Sequence, residues 1–211
     1  MNVLILGVTG LVGSNALEQA LAHPSMPHVI APTRKPLPPQ RKLTNPVSGQ
    51  LELLLPEVLS WKVDGVICAL GTTIGKAGSK EAFRRVDYVL PLTFAKAAHQ
   101  QGAETFALVS AIGASVSSSI FYARTKGELE RDIELVGFRS LTILRPSIIG
   151  GKREESRFGE GVALGLSRVL APILPKKFHV NPAPKIATAL VDSIMAAEPG
   201  CHYRYAESLV Q

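Results

Sequence analysis

The apolar residues of this 211-residue chain fall into short runs separated by amphipathic stretches of helical length. Val3-Leu4-Ile5-Leu6 predicts a buried strand near the N-terminus, and a helix follows from Leu11 to Ala22, stopped by His23-Pro24. The alternation then repeats. Strands are expected at Met26 to Ala31, Leu51 to Leu55, Gly65 to Leu70, Thr105 to Val109 and Leu141 to Leu144, with His202 to Tyr205 as a last, edge strand. Helices are expected from Asp87, as N-cap, to Gln101, from Tyr122 to about Val136, and from Lys185 to Ala197, with Lys76 to Arg85 as a polar connection. Pro36, Pro38, Pro39 and Pro46 break any helical period, so the second crossover helix is expected to be missing or reduced. Strands alternating with helices predict an α/β fold, a doubly wound parallel sheet, in a single domain over 1–211. Between 150 and 184 the pattern gives way to charges, small residues and prolines, as expected of a small C-terminal substrate lobe or lid.

The link between the first strand and first helix reads Gly7-Val8-Thr9-Gly10-Leu11-Val12-Gly13. A strand, a glycine turn and a helix N-terminus make a phosphate site, because the free N–H groups and the positive helix end face an anion. Gly7 permits the turn, Gly10 admits a pyrophosphate to the backbone, and Gly13 lets helix and strand pack closely. A Rossmann-like dinucleotide site is therefore predicted, with Gly7, Thr9, Gly10, Leu11, Val12 and Gly13 at the cofactor. The second strand ends at Ala31-Pro32-Thr33-Arg34-Lys35, with an arginine where an NAD enzyme places a carboxylate. NADP (NADPH) is thus favoured over NAD. Gly71 and Thr72, at the end of a central strand, would line the same crevice.

Charge and composition narrow the partners. The net charge of +6 suggests nucleic acid, but the basic residues are dispersed and the 6% aromatic content offers no stacking platform. No apolar span is long enough for a membrane helix, and the first apolar run lacks a preceding basic region, so no membrane association is expected and a cytoplasmic protein is the default. Cys68 and Cys201 lie far apart, with Cys68 read as a small buried hydrophobe. No metal-site spacing occurs.

Tyr122-Ala123-Arg124-Thr125-Lys126 places a phenol and an ammonium on one helix face. A free tyrosine, with a pKa of about 10, is a weak acid–base catalyst at neutral pH, and a nearby ammonium favours the phenolate. Lys126 would also reach the nicotinamide ribose. Together with the glycine turn, Asp64-Gly65-Val66-Ile67-Cys68-Ala69-Leu70-Gly71, Val86-Asp87-Tyr88 and Leu144-Arg145-Pro146-Ser147, this pair resembles the short-chain dehydrogenase/reductase superfamily over nearly the whole chain. The G-x-x-G-x-x-G form is that of its extended and atypical branches. Leu70-Gly71-Thr72-Thr73 and Gly75-Lys76-Ala77-Gly78 look like the small atypical subgroup of the human Tat-interacting tumour-suppressor oxidoreductase and its bacterial relatives.

The resemblance implies roles. Tyr122 is the catalytic acid/base, Lys126 supports it, Ser110 orients the substrate, and Pro146 to Ile148 lies near the nicotinamide; Asp87 stands where many members carry asparagine. One departure matters. Ser110-Ala111-Ile112 lacks the usual run of hydroxyl residues, so Ser110 is free to turn to the backbone, leaving Ser115 or Ser117 as substitutes or no catalytic serine at all. The expected function is NADPH-dependent hydride transfer to or from a small carbonyl or alcohol substrate. The alternative is a non-catalytic NADPH-sensing regulator that binds a protein partner. Sugar-nucleotide epimerisation is less expected, because the region after Gly150 is short. A homodimer through helices 87–101 and 122–136 is also compatible with the pattern.

Overall fold

In the computed structural model of the chain, residues 1–151 and 179–209 are described. Seven strands form one sheet: β1 (Asn2–Leu6), β2 (His28–Ile30), β3 (Leu43–Thr44), β4 (Gly65–Cys68), β5 (Thr105–Val109), β6 (Ser140–Arg145) and β9 (Gly200–Tyr205). Their order is β3-β2-β1-β4-β5-β6-β9, and every pairing is parallel. A two-stranded pair, β7 (Ile149–Gly150) with β8 (Asn181–Pro182), stands apart. The expected fold class holds.

The sheet is buried on both faces, which explains its unbroken apolar runs. In β1, Val3 and Ile5 join one core while Leu4 and Leu6 join the other, as the two-residue period of a strand requires. The first core is closed by α1 (Leu11–Ala22) and α7 (Ala183–Ala196), through residues such as Ala16, Ile186 and Leu190. The second is closed by α5 (Leu90–Gln100) and α6 (Phe121–Glu134), through Phe94, Ala98, Leu129 and Ile133. Strand order reverses between β1 and β4, and the crevice at their C-terminal ends is where such sheets bind ligands.

Two expectations fail locally. Leu51 to Leu55 is not a strand: Leu51–Leu54 is a 3-10 turn, leading into the short α2 (Leu55–Val58). Leu51, Leu54 and Val58 are the buried positions, a helical spacing that the four leucines among residues 51–55 conceal. The third strand is instead Leu43–Thr44, held to β2 by backbone pairing and by Asn45, whose amide donates to the Ala31 carbonyl at 2.6 Å and to the Thr33 hydroxyl at 2.8 Å. No helix intervenes between β2 and β3, in line with the prolines.

Asp87 is not an N-cap. The helical path starts earlier, in α3 (Ile74–Ala77) and α4 (Lys80–Arg84), where Ser79 caps α4 by accepting the Ala82 N–H at 3.0 Å. A single π-helical turn, Arg85–Val89, then joins α4 to α5. Pro91 explains the turn, because its ring would strike the carbonyl of residue 87 in a regular α-ladder. The wider turn also carries Asp87 inward. The edge strand at the C-terminus is found as expected, β9 pairing with β6 alone. Most of the lobe expected at 150–184 lies outside the described residues.

Candidate active site

The glycine turn has the geometry its spacing predicts. Gly7 sits at φ +87°, and a Cβ there would lie 2.6 Å from the Ala69 carbonyl carbon, inside the extension of β4. A Cβ on Gly13 would lie 2.1 Å from the Gly7 carbonyl oxygen. Both positions exclude any side chain. Gly10 is the N-cap of α1, its own N–H donating to the Gly7 carbonyl at 2.9 Å; among the described residues no side chain caps the helix and its first turn holds no acidic residue. Thr9 and Gly10 are exposed, Leu11 is half-buried, and Val12 and Gly13 anchor the turn in the core. Such an end accepts a pyrophosphate.

Lys126 reaches the same end of the sheet from α6. Its Nζ lies 2.8 Å from Oδ1 of Asp87, and the two side chains are only 4% and 1% exposed. The other carboxylate oxygen accepts the Thr72 N–H at 2.8 Å. A Cβ on Gly71 would stand 3.5 Å from Asp87 Oδ1 and 4.0 Å from Lys126 Nζ. Thus Gly71, Thr72, Asp87 and Lys126 form one cluster beside the crevice. Burial by itself would depress the Lys126 pKa, but Asp87 and the nearby Tyr122 favour the ammonium, and it stands above the ordinary lysine value. Lys126 is a fixed cation. Behind it, burial pushes the Cys68 thiol up to about 11, so Cys68 is an inert core residue, as expected.

Tyr122 stands in the first turn of α6, 37% exposed, its ring 5.7 Å from that of Phe83. Its hydroxyl makes no hydrogen bond among the described residues, whereas Tyr88, the neighbouring phenol, donates to Asp132 at 2.5 Å. Ser110 follows β5 and is buried. Its N–H donates to the Leu144 carbonyl at 2.8 Å, and its hydroxyl has no partner. The hydroxyl has not turned to the backbone. Ser115 and Ser117 instead bond each other at 2.9 Å. The Ser115 backbone lies on Gly127, where a Cβ would come within 2.3 Å of its carbonyl carbon.

Pro146 follows β6, its carbonyl accepting the Ile112 N–H at 2.8 Å. This bond ties the ends of β5 and β6 together. Arg145, in the same motif, turns away: it makes a two-point ion pair with buried Glu130, at 3.0 and 2.5 Å, and lies 4.7 Å over the Tyr203 ring. There it borders a separate cavity of about 480 Å³ between α6 and β9. Arg34 follows β2 as an exposed guanidinium with no hydrogen bond or ion pair among the described residues. The strand it follows, β2, is the neighbour of β1 in the sheet.

The counter-ion Asp87 stands where the pattern predicts a helix cap, although an acidic residue between Val86 and Tyr88, four residues before a proline, also fits a buried partner at a distorted turn. Among the described residues no cluster of His, Cys, Asp and Glu fits a metal ion.

Residues 37–171 match the family model described as HIM1. The chain is 39% identical over 169 residues to "Protein fmp52, mitochondrial" of Emericella nidulans, covering 77% of this chain and 72% of that protein. It is 35% identical over 205 residues to "Protein FMP52, mitochondrial" of Debaryomyces hansenii, covering 94% and 89%. Among solved structures it is similar to "MoeE5 in complex with UDP-glucose and NAD", with a TM-score of 0.73 and 17% identity over 96% of this chain and 75% of that one. That likeness shows a Rossmann-type fold. The names of the relatives overturn the cytoplasmic expectation, which rested on the lack of a signal-like or membrane-spanning run, an absence that says nothing of compartment. By its family model and by its identity to these relatives, the chain belongs to the HIM1 family, together with the FMP52 mitochondrial proteins of fungi.

Proposed function

We propose that the chain is an NADPH-dependent oxidoreductase of the atypical short-chain dehydrogenase/reductase type, working on a small carbonyl or alcohol. The observation that carries this reading is the buried Lys126 ammonium, held beside Gly71 and Thr72 and within electrostatic reach of an exposed Tyr122 whose hydroxyl is unengaged. The uncapped glycine turn supports a dinucleotide at Gly7 to Gly13, with Gly71, Thr72, Lys126 and Pro146 along its path, and Arg34 supports the 2'-phosphate of NADPH. When bound, that cofactor supplies the hydride. Tyr122 gives its phenolic proton to the carbonyl oxygen as the carbon is reduced, and the fixed charge of Lys126 stabilises the phenolate left behind. The orphan hydroxyl of Ser110 donates to the same oxygen. The segment 150–184 is proposed to cover the substrate.

The test is turnover of an accepted carbonyl substrate by Tyr122→Phe. Loss of turnover by a factor of about 10² to 10⁴, with NADPH binding intact, is expected; full turnover in the variant removes Tyr122 as the acid. A second reading, a non-catalytic NADPH sensor that binds a protein partner, draws support from Asp87, whose carboxylate neutralises much of the Lys126 charge. It predicts a partner retained only with NADPH present and retained equally by Tyr122→Phe.

A further inference from the structure

The two halves of the crevice differ in chemistry. On the phosphate side stand an uncapped helix end and the exposed Arg34. On the other side lie the C-terminal ends of three adjacent strands, β4, β5 and β6. The register sets β4 beside β5, with Cys68 opposite Leu108, and β5 beside β6, with Val109 opposite Leu144. The segments that leave these strands, Gly71 to Gly75, Ser110 to Ile120 and Pro146 to Gly151, contain no charged residue. Each instead presents an isoleucine to solvent: Ile74, Ile112 and Ile148 are 39 to 43% exposed, and Ile120, just before α6, is 66% exposed. The Ile112 N–H bond to Pro146 holds two of these segments side by side. Two cations near the start of α6 are turned elsewhere, Arg124 onto the Ser118 and Ser119 carbonyls and Lys80 over the Phe121 ring, and Lys126 is paired with Asp87.

Large apolar side chains left in water at the mouth of a site signal an apolar ligand. A phosphorylated or nucleotide-linked substrate needs cations to replace its hydration, and these three segments carry none among their described residues; the α6 end at Ile120 is uncapped but lies beside an exposed isoleucine. On the oxidoreductase reading proposed above, we infer that the substrate of this site is an apolar carbonyl compound, an aliphatic or aryl aldehyde or ketone, whose hydrocarbon part lies on Ile74, Ile112, Ile120 and Ile148. The polar contact is confined to the carbonyl oxygen, at Tyr122 and Ser110.

The experiment uses the full chain with NADPH and two homologous series. Straight-chain amides from four to nine carbons report binding without reaction, read by titration calorimetry, and the matching aldehydes report NADPH oxidation. Amide affinity is expected to rise about two- to fourfold per methylene, and kcat/KM for the aldehydes to climb in step. Ile112→Ser/Ile120→Ser is expected to flatten the amide series, and a thermal melt confirms its fold. An amide affinity independent of chain length, or tighter binding of glyceraldehyde 3-phosphate or UDP-glucose than of any amide, overturns the inference. A rising amide series without aldehyde turnover upholds the apolar site and defeats the reductase reading. Turnover of short polar carbonyls with a flat amide series does the reverse.

Discussion

The ammonium of Lys126 lies 2.8 Å from the carboxylate of Asp87, and both groups are shut away from water inside the protein. The pair joins two distant parts of the chain, the π-helical turn before α5 and the second turn of α6. Through the Thr72 N–H it also fixes the loop after β4. Removing one partner of a buried pair leaves the other charge uncompensated, at a cost of about 3–5 kcal/mol. Asp87→Ala is therefore expected to unfold at markedly lower urea concentration than the wild type, and an unchanged midpoint would show that the pair carries no weight.

The pH dependence of that stability has a definite sign. With its pKa raised in the folded state, Lys126 contributes stability that is fully present below the unfolded lysine value of about 10.4 and is lost as pH rises through the higher folded value. In Asp87→Asn the counter-charge is gone and burial dominates, which pulls the lysine below its unfolded value. Stability of that variant then rises with pH across the alkaline range, where the contribution of this group in the wild type stays level. Urea midpoints taken at intervals between pH 7 and 10, compared between the two proteins, decide the matter.

Gly13 and Gly10 separate packing from binding. A methyl group on Gly13 would collide with the Gly7 carbonyl, so Gly13→Ala is expected to lose about 1–3 kcal/mol of stability and its nucleotide affinity together. On Gly10 the nearest atom is the same oxygen at 3.2 Å, and the backbone, at φ −88°, suits any residue. Gly10→Ala should keep the fold and weaken the nucleotide alone. Equal stability losses in the two variants would contradict this division.

Arg34 is predicted to select the cofactor. A charge-assisted contact with a 2'-phosphate contributes roughly 1.5–3 kcal/mol, so Arg34→Ala should bind NADPH about 10- to 100-fold more weakly while NADH binding is unaltered. Because Arg34 is exposed, raising the salt concentration should shrink the difference. Titration of both nucleotides at equal ionic strength is the check. Identical losses for NADPH and NADH would remove Arg34 as the determinant.

The thiols offer a probe of the folded core. Cys68 is buried with its pKa pushed up to about 11, and burial also raises that of half-buried Cys201. At pH 8 a disulfide reagent is expected to label Cys201 slowly and Cys68 only after unfolding. Prompt labelling of Cys68 in the native protein would mean that the strand beneath the site opens readily.

The sequence by itself determined the sheet, the glycine turn and the Tyr122–Lys126 face. These features are local: a four-residue apolar run buried on both sides, two glycines, Gly7 and Gly13, at positions that admit no Cβ, and two side chains one helical turn apart. It also signalled the prolines that suppress the second crossover helix. Its errors fell where a local pattern has two solutions. Four leucines among residues 51–55 suit a strand or a buried turn of helix, and only the pairing of Leu43–Thr44 with β2, secured by Asn45, assigned the third strand elsewhere.

What the tertiary structure alone decided is the charge state and company of the site. Whether Asp87 caps a helix or faces Lys126 depends on the path of a helix bent at Pro91 and on the distance between two elements 39 positions apart in the chain. Likewise the sequence placed Arg145 and Pro146 in one motif, but the sheet separates them, sending the guanidinium to Glu130 and Tyr203 while the Pro146 carbonyl joins the strand ends beside Ser110. The reason is physical. Apolar burial and backbone sterics act over a few residues and leave a periodic trace, whereas the pairing of buried charges depends on which distant segments the fold brings within 3 Å.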